Sequence, residues 1–194
     1  MTNPKKEGSG LIPGWQGEKV RLVPIDKEKH LDNVIRWLND PDVTHWLIIG
    51  TMPVTKLAEE AFFDQMATSQ DKDILFAVET LDGQHVGITG LHQIDWIHSV
   101  ATTGTVIGEK ALWRKGLGTD TAITRSCYAF DVLNLRLLMV EVIDGNEASL
   151  KMLKNLGYRE TGRIPQRYWQ RGEYCDAIQL VLSRDEWSKR TSRS

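Results

Sequence analysis

Residues Thr105 to Thr119 read TVIGEKALWRKGLGT and join three features that belong together. An apolar segment is followed by a basic turn that contains Gly116 and Gly118, and then by the start of a helix. Glycines let successive backbone N–H groups point into one concavity, and the positive end of the helix dipole attracts an anion. This glycine loop, Arg114–Thr119, therefore predicts a binding site for a phosphorylated ligand.

Composition excludes several classes of protein. A chain of 194 residues with 41% hydrophobic and 26% charged residues fits one compact domain. A formal net charge of −2 gives no electrostatic footprint for nucleic acid as the main partner. The chain has no apolar run long enough for a bilayer and no apolar secretion signal, so we expect a cytoplasmic protein without a membrane partner. Cys127 and Cys175 lie outside any metal-ligand spacing, which predicts no metal site.

The first half of the chain predicts a tail, a strand and two helices. Residues 1–17 are rich in Lys, Gly, Ser and Pro and predict a flexible tail, residues 18–187 a single domain, and residues 188–194 a second tail. Apolar spacing then predicts, in order, a strand at Val20–Pro24, a helix over Leu31–Leu38 that Asp40-Pro41 ends, and a helix from the N-cap Thr55 to Met66.

The second half predicts mainly strands. The spacing of apolar residues and the turn residues first predict a hairpin of residues 74–80 and 85–95, a turn at 97–103 and the strand that enters the glycine loop. They then predict a helix over 119–133, a helix from Asn146 to Gly157, and a terminal hairpin of 163–169 and 173–183. Between the two helices, Arg136–Ile143 is almost uninterrupted apolar sequence, which predicts a central strand buried on both faces.

This succession of elements resembles the GNAT superfamily of N-acetyltransferases from about Val20 to Trp187. The resemblance rests on strand, Gly-x-Gly loop and helix, then strand, Asn-x-x-Ser helix and Leu-Gly-Tyr corner. Three further motifs are similar to the ribosomal-protein N-terminal and spermidine acetyltransferase branch: Asn39-Asp40-Pro41-Asp42-Val43, Ile107-Gly108-Glu109 before Trp113, and Asp185-Glu186-Trp187. The resemblance implies an α/β fold with a mixed, mostly antiparallel sheet of six to seven strands, flanked by helices and splayed at its centre.

The resemblance also implies acetyl-CoA as the acyl donor and no metal. The glycine loop would hold the pyrophosphate, with countercharge from Arg114 and Lys115, and the preceding strand would pair with the pantetheine arm. Asn146 and Ser149 match family positions near the pantetheine arm and the sulfur, although both residue types are also ordinary helix caps. The implied donor-binding residues are Val106, Ile107, Gly108, Arg114, Lys115, Gly116, Leu117, Gly118, Thr119, Asn146 and Ser149.

The family's usual acid and base are both missing. Relatives commonly place a tyrosine four residues beyond the serine to protonate the departing thiolate, but this chain has Leu153 there. The resemblance implies that Ser149 acts as general acid through its hydroxyl or a bound water. Many relatives carry a glutamate on the cradle strand as base, but the matching stretch is Ala101-Thr102-Thr103-Gly104. The base stays open among His92, Gln93, Asp95, His98 and Glu141.

The implied reaction is direct attack of an amine on the thioester, with backbone donors stabilising the oxyanion and no covalent enzyme intermediate. The candidate residues for acceptor binding are His45, Trp46, Gln93 and Tyr168. Deprotonation at pH 7 costs about 1.4 kcal/mol for an α-amine and about 4.6 kcal/mol for an ε-amine, so a missing base favours a protein N-terminal α-amine.

Several alternatives remain open at the level of the sequence. The acceptor can instead be a polyamine, an amino sugar or an aminoglycoside. The chain can also be a non-catalytic module that binds or senses acyl-CoA, because both the tyrosine and the glutamate are absent. The oligomeric state, monomer or homodimer, also remains open. Cys127 lies in the middle of a predicted helix, and we expect its side chain to pack in the core and not to act as a nucleophile.

Overall fold

Seven strands form one sheet in the order β1-β2-β3-β4-β5-β7-β6. The computed structural model describes residues 12, 14–49, 52–68 and 71–191. Its strands are β1 (Val20–Pro24), β2 (Ile74–Thr80), β3 (His85–Asp95), β4 (Val100–Ile107), β5 (Leu137–Ile143), β6 (Arg159–Gln170) and β7 (Glu173–Ser183). Its helices are α1 (Lys27–Leu38), α2 (Pro41–Thr44), α3 (Lys56–Thr68), α4 (Leu117–Cys127), α5 (Glu147–Asn155) and α6 (Arg184–Thr191).

The sheet is mixed and mostly antiparallel, as predicted, and its central strands separate. Every neighbouring pair runs antiparallel except β4 and β5, because α4 carries the chain across between these two strands. The parallel pair extends only from Val100 opposite Leu137 to Thr102 opposite Met139. Beyond that point the two strands diverge. The resulting opening, bounded by residues 103–107 of β4 and 140–143 of β5, is called the wedge below.

Helices cover both faces of the sheet. On one face, α4 and α5 bury the main apolar core, which includes Leu91, Ala101, Ala122, Leu138 and Leu153. On the other face, called the α1 face, α1 and α3 enclose a smaller core built around Trp37, Phe63, Ile88 and Val106. Alternation along the strands therefore decides which side chains point to the α1 face, where α2 and its following loop also lie.

Packing continues into both segments that the sequence predicts as tails. The indole of Trp15 contacts the rings of Phe76 and Tyr128 at centroid distances of 5.6 and 6.3 Å. Burial of this large aromatic surface offsets the conformational entropy that the short segment loses when it becomes ordered. Gln16 forms a bridge with Arg21 of β1. At the other end, α6 extends to Thr191. Residues 1–11, 13 and 192–194 of the predicted tails lie outside the described residues.

Several predicted boundaries require correction. Asp40-Pro41 both follows α1 and begins α2, since the Asp40 carboxylate accepts the backbone N–H of Asp42 as an N-cap. The turn before β4 is shorter than predicted, because β4 starts at Val100. The predicted helix over 119–133 is α4 followed by a π-helical turn at Tyr128–Val132. Val140 and Glu141 of β5 are partly exposed, and not buried on both faces, because β4 pairs with β5 only as far as Met139.

Stability is expected to fall between pH 6.5 and pH 4 through His85. Burial, with a smaller contribution from nearby His30, lowers the pKa of His85 to about 4. The unfolded chain then binds a proton that the folded chain rejects, so the stabilisation is complete above about pH 6.5 and is lost as pH falls. After allowance for the exposed part of the ring, we expect about 2 kcal/mol of pH-dependent stability from this group.

Urea unfolding of the wild type and of His85→Gln at pH 7 and pH 4.5 tests this expectation. The variant should lose less stability than the wild type on acidification, because glutamine does not titrate. Equal losses in the two proteins would contradict the assignment to His85.

Candidate functional site

The wedge exposes backbone groups of β4 that have no strand partner on that side. Gly108 donates its N–H to the Val86 carbonyl of β3, and residues along an antiparallel pair alternate in direction. Val106 therefore directs its backbone toward β3, whereas Thr105 and Ile107 direct theirs into the wedge. The strand from residue 103 to 108 is about 17 Å long, comparable with an extended pantetheine arm. The wedge can thus accept a narrow chain with amide groups.

The glycine loop lies at the open end of the wedge and has the backbone conformation of an anion cradle. Arg114 and Gly116 have φ angles of 63° and 84°, and Gly116 is the N-cap residue of α4. The first N–H groups of a helix have no intrahelical acceptor, so those of Leu117, Gly118 and Thr119 are available to a ligand. A Cβ at Gly118 would lie 3.6 Å from the Ile107 side chain, so the first turn of α4 lies directly beside the end of β4.

Lys19 adds a positive charge that the sequence-based prediction missed. Its Nζ donates to the Lys115 carbonyl at 3.0 Å. The position of this lysine is fixed by Asp120 of α4, whose buried carboxylate accepts the backbone N–H groups of Lys19 at 2.8 Å and of Val20 at 3.0 Å. No local signal reveals this arrangement because about 100 residues separate the partners. Lys19, Arg114 and Lys115 together make the loop cationic.

Trp113 and Gly108 shape the entry to the loop. The Trp113 indole donates to the Ile107 carbonyl at 2.7 Å, so this carbonyl already has one donor. A Cβ at Gly108 would overlap the indole of Trp37, which is fully buried in α1. The close approach fixes the end of β4 against α1.

Ion pairs connect α2 to the same end of β4 and give the Asn-Asp-Pro-Asp-Val motif a structural role. Lys110 contacts Asp40 at 2.7 Å and Asp42 at 2.9 Å. The hydrogen bond from Lys110 lowers the pKa of Asp40, which keeps the carboxylate ionised. Arg36 of α1 also contacts Glu109 at 3.1 Å. These contacts hold α2, and therefore the residues that follow it, over the α1 face.

His45 and Trp46 follow α2 directly and lie beside the far edge of the wedge. Their rings contact each other at 4.2 Å between centroids. The Trp46 ring packs against Gly145, just beyond the end of β5. His45 Nδ1 is buried and has no hydrogen-bond partner among the described residues. The two side chains thus form a wall near the open end of β5, and their predicted role in acceptor binding stays a prediction.

Glu141 and Tyr168 meet on the α1 face of the wedge. The Tyr168 hydroxyl donates to one carboxylate oxygen of Glu141, and the Gln179 amide donates to the other at 3.4 Å. Burial and the Glu141 contact raise the pKa of Tyr168 to about 12, so the phenol stays protonated and serves as a donor. Glu141 is therefore a hydrogen-bonded carboxylate facing the opening. Sequence reasoning named both residues but did not predict that they form a pair.

The candidate bases on β3 and its turn separate into two groups. His92 is partly buried and contacts Asp73 at 3.2 Å. Gln93 is exposed, has a φ of 52° in a β-bulge, and donates its backbone N–H to the same Asp73 oxygen. Asp95 accepts the backbone N–H of His98 at 2.9 Å, so these two residues stabilise the turn before β4, away from the glycine loop.

Asn146 is the N-cap residue of α5, and its side-chain oxygen accepts the backbone N–H of Ser149 at 3.2 Å. Ser149 is partly buried in the first turn of that helix. Leu153 lies one turn later with 3% of its surface exposed and packs in the main core, so no phenol is available there. Burial, as the main cause, raises the pKa of Cys127 to about 11, which disfavours the thiolate.

The described residues contain neither a membrane-spanning helix nor a metal-binding cluster of side chains. No helix there has the length and apolar character needed to cross a membrane. Within the same residues, no cluster of three or more His, Cys, Asp or Glu side chains has the arrangement needed to hold a metal ion.

Comparison with known proteins identifies the family. A family model described as an acetyltransferase (GNAT) domain matches residues 19–159. YdaF of Bacillus subtilis (strain 168), provisionally named a ribosomal N-acetyltransferase, is 26% identical over 170 residues, which cover 86% of this chain and 90% of YdaF.

Solved structures share the fold. Spermidine N-acetyltransferase from Vibrio cholerae, crystallised with CoA and spermine, superposes with a TM-score of 0.80 at 17% identity and covers 87% of this chain and 98% of its own. A GCN5-related N-acetyltransferase from Brucella melitensis superposes with a TM-score of 0.73 at 26% identity, covering 90% and 80%. Since the family model spans most of the sequence, the chain belongs to the GNAT family and is an N-acetyltransferase.

Proposed function

We propose that this protein transfers the acetyl group of acetyl-CoA to a protein N-terminal α-amine by direct attack. The observation that carries the proposal is the wedge, because β4 and β5 pair only as far as Thr102 and Met139 and then separate. A cationic loop lies at the open end of the wedge, and polar side chains lie near its closed end. A long donor with a charged end and a reactive end fits this arrangement.

The donor would be held mainly by backbone groups. The N–H groups of the glycine loop suit the diphosphate, and Lys19 supplies a counter-charge beside them. The groups of Thr105 and Ile107 that face the wedge suit the amides of the pantetheine arm. Since residues 103–108 span about 17 Å, the thioester would reach the level of Thr103 to Thr105. Ser149 is proposed as donor of a proton to the thiolate, whose release costs only about 2 kcal/mol at neutral pH.

The acceptor side favours a single amine over a polyamine. The carboxylates described beside the closed end, Glu141 and Asp73, are each already hydrogen-bonded to neighbouring groups. A polyamine carries several ammonium groups and requires several carboxylates that are free to pair with them. An α-amine requires one partner, and it also loses its proton at lower cost than a polyamine. The name of the relative YdaF agrees with a protein acceptor.

A panel of amines tests the proposal through release of free CoA thiol. We expect turnover with peptides that have a free N-terminus and a Ser or Ala at the first position, and at least a tenfold lower kcat/KM with spermidine and with an amino sugar. The matched control is the same peptide with a blocked N-terminus and one internal lysine, which offers only an ε-amine. Preferred turnover of spermidine would show that the acceptor is a polyamine and not a protein N-terminus. Binding of CoA without turnover of any amine would reject the proposal that the protein is an enzyme.

A further inference from the structure

We propose that His92 is the general base that removes the proton from the acceptor ammonium, and that Asp73 is the positioning residue that orients its ring. This assignment rests on the proposed function and supplies the group that the residues of β4 lack. Three observations support it: the hydrogen bond of the His92 ring, the two glycines beside the ring, and the position of His92 along the strands at the closed end of the wedge.

The ring of His92 is held through one nitrogen only. Its Nδ1 lies 3.2 Å from Oδ1 of Asp73, the residue before β2. Because a carboxylate accepts hydrogen bonds, Nδ1 carries the proton, and Nε2 presents a lone pair. Asp73 is itself held by the backbone N–H of Gln93, which the β-bulge after His92 turns toward the carboxylate.

Nε2 of His92 differs from the corresponding atoms of the structural histidines. The ring nitrogens of His85 lie 2.9 Å from the Gly87 carbonyl and 3.3 Å from the Asn33 amide, and both nitrogens of His30 also have partners. Among the described residues, Nε2 of His92 has no hydrogen-bond partner. The ring is only partly buried, with 33% of the side-chain surface exposed. An oriented imidazole with an accessible lone pair can accept a proton.

Two glycines create the space in which Nε2 lies. A Cβ at Gly90 would be 2.5 Å from Nε2, and a Cβ at Gly104 would be 3.8 Å from it. Any larger side chain at Gly90 would displace the ring, and one at Gly104 would cover it. The His92 ring therefore lies over Gly104 of β4, in the space that a side chain at this position would occupy.

Strand register places this lone pair at the closed end of the wedge, on the face that carries Glu141. His92 is opposite Thr102, and Thr102 is opposite Met139, the last pair between β4 and β5. Two residues further along, Gly104 is level with Glu141, and side chains two residues apart point to the same face. An ammonium in the wedge would thus lie between Glu141 on the β5 side and His92 on the β3 side, with both side chains on the α1 face.

The charged groups around the ring are few. Asp73, just before β2, contacts the ring directly, and Glu141 of β5 lies across the wedge. Thr102 and Gly104 of β4 do not titrate. Both charges are negative, so they favour the binding of an ammonium and the positive imidazolium that forms from it.

The proton and electron balance of the step is simple. Nε2 takes one proton from R–NH3+, and the lone pair of the resulting amine forms the C–N bond with the acetyl carbon. The C–S bond breaks, and its electron pair leaves with the thiolate. The Ser149 hydroxyl gives its proton to the thiolate and is restored by the second proton, which nitrogen loses as the amide forms. The imidazolium returns its proton to solvent.

Kinetics of His92→Gln against pH test the proposal, with the preferred acceptor from the amine panel as substrate. At pH 7 we expect kcat/KM to fall about 100-fold, with the Kd for CoA unchanged. At pH 9 an α-amine with a pKa of about 8 is mostly neutral, so the deficit should shrink to less than about tenfold. Asp73→Asn should show the same pH dependence with a smaller deficit. Glu141→Gln should instead raise KM for the amine at both pH values.

His98→Gln is the matched control, because this histidine lies exposed in the turn before β4, and its kinetics should equal those of the wild type. An unchanged kcat/KM in His92→Gln, or a deficit that is the same at pH 7 and pH 9, would overturn the assignment while wild-type turnover leaves the proposed function intact. Failure of the wild type to acetylate any amine would reject both. Melting temperatures of the variants exclude loss of folding as the cause.

Discussion

Gly118→Asp is expected to weaken CoA binding by at least about 100-fold while leaving the fold intact. Gly118 is the second residue of α4, where the proposed diphosphate meets the helix N-terminus. A carboxylate there would lie within about 5 Å of the phosphates, and like charges at that distance repel by about 3 kcal/mol at an effective dielectric constant near 20. The same carboxylate interacts favourably with the helix dipole, so folding should not suffer.

Isothermal titration calorimetry with CoA measures the effect, and thermal unfolding verifies the fold. Gln65→Glu, an exposed position of α3, makes the same change in net charge away from the loop and should bind CoA as the wild type does. A Kd for Gly118→Asp within threefold of the wild-type value would mean that the diphosphate binds elsewhere, and the assignment of the glycine loop would then fail.

The sequence predicted those parts of the fold that depend on neighbouring residues. The bounds predicted for β1, β2 and β3 agree with the structure, since alternation and an Asp-Gly turn are local signals. The N-cap at Thr55 is observed as a hydrogen bond from Ala58 N to Thr55 Oγ1 at 3.2 Å. The glycine loop follows the same rule, because its conformation is set by Gly116 and by the helix that it begins.

Contacts between distant residues were beyond such reasoning. The sequence named His92 and Glu141 only as two of five candidate bases, with nothing to choose between them. Their chemistry depends on Asp73 and Tyr168, which the fold brings to them from 19 and 27 residues away. The bulge that orients Asp73 has no clear sequence signal, and the separation of β4 from β5 becomes visible only from strand register. Local signals thus predicted the conformation of the glycine loop, whereas the contacts of His92 and Glu141 required the tertiary structure.

Gly108→Ala is expected to lower the free energy of unfolding by about 3 kcal/mol, because the packing around this residue leaves no space for a methyl group. A methyl group at this position would overlap the indole of Trp37, which is 1% exposed and has no space to move away. Relief requires a shift of α1 or of the end of β4. Either movement changes the distance between the wedge and the glycine loop, so CoA affinity should fall together with stability.

Urea denaturation and calorimetry on the same preparations test both effects. Gly118→Ala is the matched control, because its Cβ would make only an ordinary contact at 3.6 Å, and alanine favours a helix by about 1 kcal/mol over glycine. The control should be as stable as the wild type or more so. If Gly108→Ala loses less than about 1 kcal/mol, Trp37 can repack freely, and the end of β4 is then not held against α1 by this contact.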